Sequence, residues 1–208
     1  MGHGVRRIVL ATRNGHKVRE LQTILADLID ELDLEIVGMV EFPDVAEVVE
    51  TGVTFAQNAT LKAVAAAQAT GLPALADDSG LAVEVLGGAP GVFSGRWAGT
   101  HGHDRANLEL LLGQLYDVPD QYRAAAFVCA AVLALPDGTL VVREGRMPGT
   151  LAREPRGDNG FGYDPILVVD GDSRTSAELT FEEKNAISHR GKAFRALAAD
   201  LRKVFADS

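Results

Sequence analysis

The chain has 208 residues, of which 47% are hydrophobic and 24% are charged, and these proportions exclude a disordered or fibrous protein. Its 20 Lys and Arg residues against 29 Asp and Glu residues give a net charge of −9, which argues against a nucleic-acid partner and against a polybasic membrane contact. An anionic substrate would therefore need local Lys or Arg side chains, together with a metal ion, to overcome the acidic background.

The features that bear on cellular location favour the cytoplasm. Cys129 is the single cysteine, which excludes a disulfide framework, and its apolar surroundings at 127–133 predict a buried thiol. No signal peptide is recognisable around the apolar run that starts at Ile8. No apolar stretch reaches the roughly 18 residues that a membrane span requires. We therefore expect a cytoplasmic protein.

The first part of the chain is typical of a strand, a loop, a helix and a second strand. Residues 8–11 form a short apolar run, which predicts a strand, and a polar turn follows it. Apolar side chains then recur three or four positions apart over 17–32, which predicts one amphipathic helix. A further apolar run at 35–39 predicts the next strand.

A second helix and a buried strand are predicted next. Thr54 and Gln57 have the spacing of a capping box, with Thr54 as the cap of a helix that continues to residue 70 and ends at Gly71. The apolar run at 72–76 predicts a buried strand. We expect this strand to end at Asp77, where a loop should begin.

The remainder of the chain completes an α/β pattern. Strands that alternate with helices, together with one long hairpin, predict a mixed sheet in one domain or in two tightly joined lobes. The predicted elements are a glycine-rich loop at 86–91, a helix at 104–115, hairpin strands at 123–135 and 139–147, a second glycine-rich loop at 156–163, a strand at 166–169 and a closing helix at 193–205.

The first candidate site is the polar turn at 12–17, between a predicted strand and a helix N-terminus. Free backbone N–H groups and the helix dipole favour anions at such a position. Thr12, Asn14 and Lys17 add donors, and Arg13 belongs to a local basic cluster in an otherwise acidic chain. An ordinary helix cap is the alternative, but the basic cluster favours phosphate binding.

The second candidate combines acidic residues with a lysine. Asp77 and Asp78 follow a predicted strand, and adjacent strand residues point to opposite sides, so we expect one carboxylate to act as a metal ligand or base while the other braces the turn. Glu50 is a possible partner of Asp78 in a metal site, although a solvated loop carboxylate is the alternative. Lys62 lies four residues after Asn58 on the predicted second helix and could reach a phosphate.

Two clusters in the second half could recognise a base. Glycines flank Phe161, whose ring could stack on a nucleobase or could instead be a core anchor beneath the loop. The segment 182–192 supplies donors from Lys184, His189 and Arg190 and few acceptors, which would favour a carbonyl edge over an amino edge on a purine. A surface or helix-cap residue is the alternative for His189.

Six short motifs of this chain occur in the same order in a known protein family. They are Ala11-Thr12-x-Asn14-x-x-Lys17, Thr54-Phe55-x-x-Asn58-Ala59, Ala76-Asp77-Asp78-Ser79-Gly80-Leu81, Gly87-Gly88-Ala89-Pro90-Gly91, Phe161-Gly162-Tyr163-Asp164-Pro165 and Ser188-His189-Arg190-Gly191. From about Ile8 to the last predicted helix, the chain closely resembles the inosine triphosphate pyrophosphatase family, in its bacterial dITP/XTP (RdgB/HAM1-type) branch.

This resemblance implies a fold and an activity. The fold would be a single α/β domain over 1–208, with an elongated central mixed β-sheet flanked by helices and a nucleotide cleft between two lobes. Members are homodimers that use Mg²⁺ to hydrolyse ITP, dITP and XTP to the monophosphate and pyrophosphate, which removes deaminated purines from the nucleotide pool.

The resemblance also implies roles for individual residues. Asp78 would be the general base and, with Glu50, a metal ligand. The triphosphate would be bound near the first turn and by the second helix, and the base and sugar by the later motifs. The substrate-binding residues implied in this way, with Arg13 added from its basic cluster, are Thr12, Arg13, Asn14, Lys17, Lys62, Ser79, Phe161, Gly162, Tyr163, Asp164, Lys184, His189 and Arg190.

Two departures from the family pattern leave alternatives open. Val49 and Gln57 stand where some or most members carry acidic residues, which removes potential metal ligands and makes Glu50 the least secure assignment. One alternative function is a Maf-like pyrophosphatase for modified pyrimidine nucleotides. Another is a nucleotide-binding sensor without catalysis.

Overall fold

The computed structural model describes residues 6–13 and 15–206, without the side chains of His16 and Ala206. Its strands are β1 (Arg6–Leu10), β2 (Leu34–Gly38), β3 (Ala74–Val83), β4 (Ala124–Ala134), β5 (Leu140–Leu151) and β6 (Leu167–Val169). Its helices are α1 (Gly15–Ile24), α2 (Ala26–Leu32), α3 (Phe55–Thr70), α4 (Asp104–Gln114), α5 (Phe181–Ile187) and α6 (His189–Ala206). Asn14, one of the predicted phosphate ligands, lies outside the described residues.

The strands form a six-stranded mixed sheet in the order β2-β1-β3-β4-β5-β6. Strand β1 pairs in parallel with β2 and with β3, whereas β6 pairs antiparallel with β5. The turn between β4 and β5 is closed by backbone bonds between Leu135 and Thr139 and between Gly138 and Leu135, as the hairpin prediction required. The α/β class with a central mixed sheet is therefore confirmed.

The chain divides into two compact units. Unit 1 contains the described residues within 1–78, 130–145 and 190–208, and unit 2 contains 79–129 and 146–189. The prediction of one domain over 1–208 stays a prediction, as does the cleft that the resemblance implies.

The core of unit 1 explains why α3 is rich in alanine. The buried face of α3 consists of Ala59, Ala63, Ala66 and Ala67, which recur at helical spacing and contact strand residues such as Val9. Small side chains let the helix approach the sheet closely. The predicted cap is confirmed, because the hydroxyl of Thr54 accepts a hydrogen bond from Gln57 N at 3.2 Å, and Gly71 ends the helix with φ 69°.

The core of unit 2 is formed by larger side chains from α4, β4 and the strands around them. Leu111 and Leu115 of the α4 region pack with Phe127, Leu167 and Tyr163. Cys129, at the boundary of this unit, is fully buried, so the prediction of a buried thiol is confirmed. Among the described residues, no helix combines the length and apolar character needed to cross a membrane.

The local structure differs from the sequence-based predictions at three places. The helix predicted over 17–32 is two helices, because Leu25 leaves the helical conformation at φ −107° and ψ 17°, although Leu21, Leu25 and Leu28 still form one buried face. Helix α5 was not predicted as a helix, and it begins with a capping box from Thr180.

The third correction concerns β3, which does not end at Asp77 but continues to Val83. The acidic pair therefore lies inside a strand, where both carboxylates have side-chain partners that offset their burial. Gly80 is a strand residue too and not a turn residue. A Cβ at Gly80 would lie 2.4 Å from Ser94 Oγ and 2.6 Å from Gly91 O, so close packing explains why glycine stands there.

Candidate active site

A pocket in unit 1 brings together the residues that the sequence assigned to phosphate. The side chains that line the pocket come from several parts of the chain, which include the turn after β1, α1, α3 and β3. Its lining residues are Ala11, Thr12, Arg13, Lys17, Met39, Val45, Ala46, Glu47, Val48, Lys62, Ala65, Ala66 and Asp77. Three cationic side chains and two carboxylates, Glu47 and Asp77, give the lining an excess of one positive charge in an acidic protein, which favours an anionic ligand.

Arg13 has a second task at this pocket. Its guanidinium donates hydrogen bonds to Val45 O at 2.6 Å and to Met39 O at 3.4 Å. Met39 N in turn donates to Thr12 O at 2.9 Å. The turn after β1 is thereby attached to the segment 39–45, which forms the opposite part of the pocket lining, so Arg13 stabilises the shape of the pocket.

Asp77 is the buried anion of this site. Its Oδ2 lies 3.1 Å from the guanidinium of Arg190 and 3.6 Å from Lys17 Nζ. Arg190 also pairs with Glu20 of α1 at 2.9 Å, so β3, α1 and α6 are joined by one charge network. Burial opposes the ionisation of Asp77, but the charges of Lys17 and Arg190 outweigh it and lower its pKa. Asp77 therefore remains ionised and braces the site.

Asp78 faces different partners, as the alternation along a strand predicts. Its Oδ2 accepts a hydrogen bond from Asn58 Nδ2 at 3.1 Å, and its Oδ1 lies 3.9 Å from Lys62 Nζ. Lys62 Nζ also lies 2.7 Å from Glu50 Oε1. Burial, the largest effect, raises the pKa of Asp78 above its usual value, although Lys62 and Asn58 oppose it. A carboxyl group of raised basicity is suited to general-base chemistry.

The oxygen ligands around Asp78 fit a divalent cation that binds together with the phosphates of a substrate. Within residues 6–13 and 15–206, no group of three or more His, Cys, Asp or Glu side chains is arranged to hold a metal. Glu50 and Asp78, which both approach Lys62, supply two carboxylates. Mg²⁺ is commonly held by one or two carboxylates, with water and substrate phosphates completing its shell.

In unit 2, Phe161 is not the core anchor of one interpretation, and its stacking on a nucleobase stays a prediction. Its side chain is 65% exposed, so it is not a core anchor. Lys184 Nζ lies 5.7 Å from the centre of its ring and 2.5 Å from Asp164 Oδ2. An exposed aromatic face with an ammonium beside it can stack on a planar base.

The residues that follow Phe161 hold this loop in position. Asp164 is buried and accepts hydrogen bonds from Phe161 N at 2.9 Å and from Ser176 Oγ at 2.8 Å. Tyr163, also buried, donates its hydroxyl proton to Ser94 O at 2.9 Å. Gly162 N donates to Asp104 Oδ2 at 3.1 Å. In this structure Tyr163 and Asp164 support the loop, and direct contact with substrate by either of them stays a prediction.

The remaining predicted residues lie at three different places. Ser79 follows Asp78 on β3 and is half-buried. His189 is buried in unit 2, and its ring stacks on Phe127 with 5.1 Å between the ring centres. Arg190 belongs to unit 1, where it is buried against Asp77 and Glu20. Base recognition by His189 and Arg190 stays a prediction.

Comparison with known proteins identifies the family. The sequence model of the Ham1 family matches residues 8–200. The chain belongs to the Ham1 family. A dITP/XTP pyrophosphatase from Streptomyces avermitilis is 62% identical over 198 residues, which is 95% of this chain and 98% of the relative.

Solved Ham1 structures share the fold. A HAM1 protein from Coxiella burnetii superposes with a TM-score of 0.87 at 45% identity, covering 95% of this chain and 99% of that one. A nucleoside-triphosphatase, dITP/XTP pyrophosphatase, from Mycobacterium abscessus gives a TM-score of 0.78 at 53% identity, with 94% and 98% covered. The α/β fold predicted from the sequence is thus the fold of Ham1 proteins.

Several residues that contact the candidate residues within each unit of this Ham1 protein were not predicted as site residues. Asn58 is almost fully buried and links Gly52 N, which donates to its Oδ1 at 2.7 Å, to Asp78. Its spacing from Lys62 placed both on one face of α3, which was the available signal. Glu20, Asp104 and Ser176 gave no such signal, because their partners are distant in sequence.

Proposed function

We propose that this protein hydrolyses the deaminated purine nucleoside triphosphates dITP, ITP and XTP to the monophosphate and pyrophosphate, with Mg²⁺ as cofactor, and so cleanses the nucleotide pool. The observation that carries the proposal is the cationic pocket of unit 1 with the basic carboxylate Asp78 close to it, in contact with the pocket residue Lys62. The relatives are named dITP/XTP pyrophosphatases, which assigns the chain to the nucleoside triphosphate pyrophosphatases, a class of hydrolases.

The pocket residues have different roles in binding the triphosphate. Thr12, Lys17 and Lys62 supply donors and positive charge for phosphate oxygens, and Arg13 maintains the pocket lining. Asp77 holds Lys17 in place from inside the protein. Each phosphate bond to a charged donor is shorter and stronger than a neutral one, so a few such contacts suffice for a polyanion.

Hydrolysis requires a water molecule to attack the α-phosphorus while pyrophosphate departs. Asp78 would orient this water and accept its proton. Asn58 donates a hydrogen bond to one oxygen of Asp78 and so fixes the orientation of the carboxylate. Mg²⁺, held by Asp78 and Glu50 together with substrate phosphates, would supply the positive charge that stabilises the leaving group. Lys62 would contribute a further charge to the same group.

Base selection would fall to the exposed surface of unit 2. Phe161 offers a ring for stacking, and Lys184 beside it offers a donor to a carbonyl oxygen. A 6-oxo purine accepts such a bond, whereas adenine presents an amino group there and offers the ammonium no acceptor at that position. The homodimer is proposed on the resemblance to the family, and the cytoplasmic location on the sequence features described above.

Release of pyrophosphate from a panel of nucleotides tests this proposal. We expect Mg²⁺-dependent release from dITP and XTP to be roughly 5- to 150-fold faster than from dATP, because the loss of a hydrogen bond to the Lys184 ammonium costs roughly 1–3 kcal/mol. A chelator should abolish release from every substrate. A preference for dUTP would instead favour the Maf-like alternative. Tight binding of dITP without any release would favour the sensor.

A further inference from the structure

We propose that Lys62 makes metal binding conditional on the nucleotide, because its ammonium offsets one of the two negative charges of Glu50 and Asp78 until a polyphosphate draws it away. This inference rests on the proposed function and concerns the same site. Lys62 then has two roles. It binds phosphate, and it is an internal counter-ion that a divalent cation must displace.

The first step of the argument is the position of the ammonium. Lys62 Nζ lies 2.7 Å from Glu50 Oε1 and 3.9 Å from Asp78 Oδ1, so it is shared by both proposed metal ligands. The side chains of Lys62 and Asp78 are each only 16% exposed, which strengthens their interaction relative to a pair in water. Asn58 fixes the other oxygen of Asp78. The ammonium therefore lies at the oxygens that the metal needs.

The second step is a charge balance. Two carboxylates with one ammonium carry a net charge of −1, whereas the same carboxylates without it carry −2. A divalent cation alone must break the bond between Lys62 and Glu50 before it gains both carboxylates. The binding free energy of the cation at this site is therefore less favourable by the free energy of that displacement.

The third step is the alternative partner of Lys62. The same side chain lines the pocket with Thr12, Arg13 and Lys17, where a triphosphate is proposed to bind. A phosphate oxygen in this pocket offers Lys62 a new anionic partner, and its departure leaves Glu50 and Asp78 for the cation. Binding of nucleotide and metal should therefore be mutually favourable, since a coupling free energy between two sites is reciprocal.

The test is a titration of the full chain with Mn²⁺ alone, without nucleotide, in which free Mn²⁺ is followed by electron paramagnetic resonance. We expect Lys62→Met to bind Mn²⁺ at least about tenfold more tightly than the wild type, because one positive charge close to the cation is removed. Lys62→Gln should behave in the same way and provides a second variant if the first fails to fold. Circular dichroism checks the fold of each variant.

Two controls locate the effect. Lys17→Met removes an equal charge from the same pocket, but Lys17 pairs with Asp77 at 3.6 Å, so we expect a gain below about threefold. Adding Glu50→Gln to Lys62→Met should abolish the gain. Equal or weaker Mn²⁺ binding by both Lys62 variants would overturn the inference, as would an equal gain in Lys17→Met or a gain that survives Glu50→Gln. None of these readouts depends on turnover, so the proposed function fails separately, in the nucleotide panel.

Discussion

Replacing Asp78 by asparagine is expected to lower the turnover of dITP by at least about a thousandfold while the protein stays folded. The amide keeps an oxygen for the hydrogen bond from Asn58 Nδ2, so the local structure is retained. It loses the basicity that accepts a proton from water and the charge that holds a cation, and general-base catalysis alone contributes roughly a hundredfold to ten-thousandfold. Steady-state pyrophosphate release at saturating dITP and Mg²⁺ measures the loss.

A matched control separates this loss from a general effect of carboxylate removal. Asp117 is exposed and lies in unit 2, so Asp117→Asn should turn over dITP at the wild-type rate. Circular dichroism and the unfolding midpoint should be the same for both variants. Turnover by a folded Asp78→Asn within about tenfold of the wild type would remove Asp78 from the catalytic role.

Replacing Asp77 by alanine is expected to lower the free energy of unfolding by roughly 1.5–3 kcal/mol, because it removes one of the two carboxylates that pair with the guanidinium of Arg190 and leaves Glu20 as the other. The side chains of Asp77 and Arg190 are 4% and 6% exposed, so the lost carboxylate is a buried partner and not a surface one. Lys17 loses its anionic partner as well. Urea unfolding followed by circular dichroism measures the change.

The control for Asp77 is an ion pair of similar geometry at the surface. Glu31 and Arg202 are 2.7 Å apart, but about half of each side chain is exposed. Glu31→Gln should leave the unfolding midpoint unchanged, since exposed ion pairs contribute little to stability. If Asp77→Ala costs less than about 1 kcal/mol, the network of Asp77, Lys17 and Arg190 does not stabilise the fold as described.

The order of strands and helices was largely predictable because it depends on local patterns. The cap at Thr54, the helix end at Gly71 and the hairpin around Gly138 are short-range signals, and each was found where the sequence placed it. The extent of β3 was not predictable in this way. Polar residues and a glycine in succession are typical of a loop, whereas in the structure β3 continues between β1 and β4, and partners from α1, α3 and α6 offset the burial of Asp77 and Asp78.

The candidate site was predictable in its residue types and less so in their tasks. The polar and basic residues of the turn at 12–17 were assigned to phosphate binding, and Thr12, Arg13 and Lys17 do line one pocket. Arg190 was assigned to the base, yet its guanidinium is buried against two carboxylates from distant parts of the chain. Such pairings depend on tertiary contacts, which no local pattern of residues encodes.

The position of bond cleavage tests the central claim most directly. Phosphorus NMR of dITP incubated with the wild-type chain and Mg²⁺ identifies the products without any coupling enzyme. Attack at the α-phosphorus predicts dIMP and pyrophosphate as the products, formed together. Orthophosphate with dIDP, or unchanged dITP in the presence of folded protein, would contradict the assignment of this site as a pyrophosphatase.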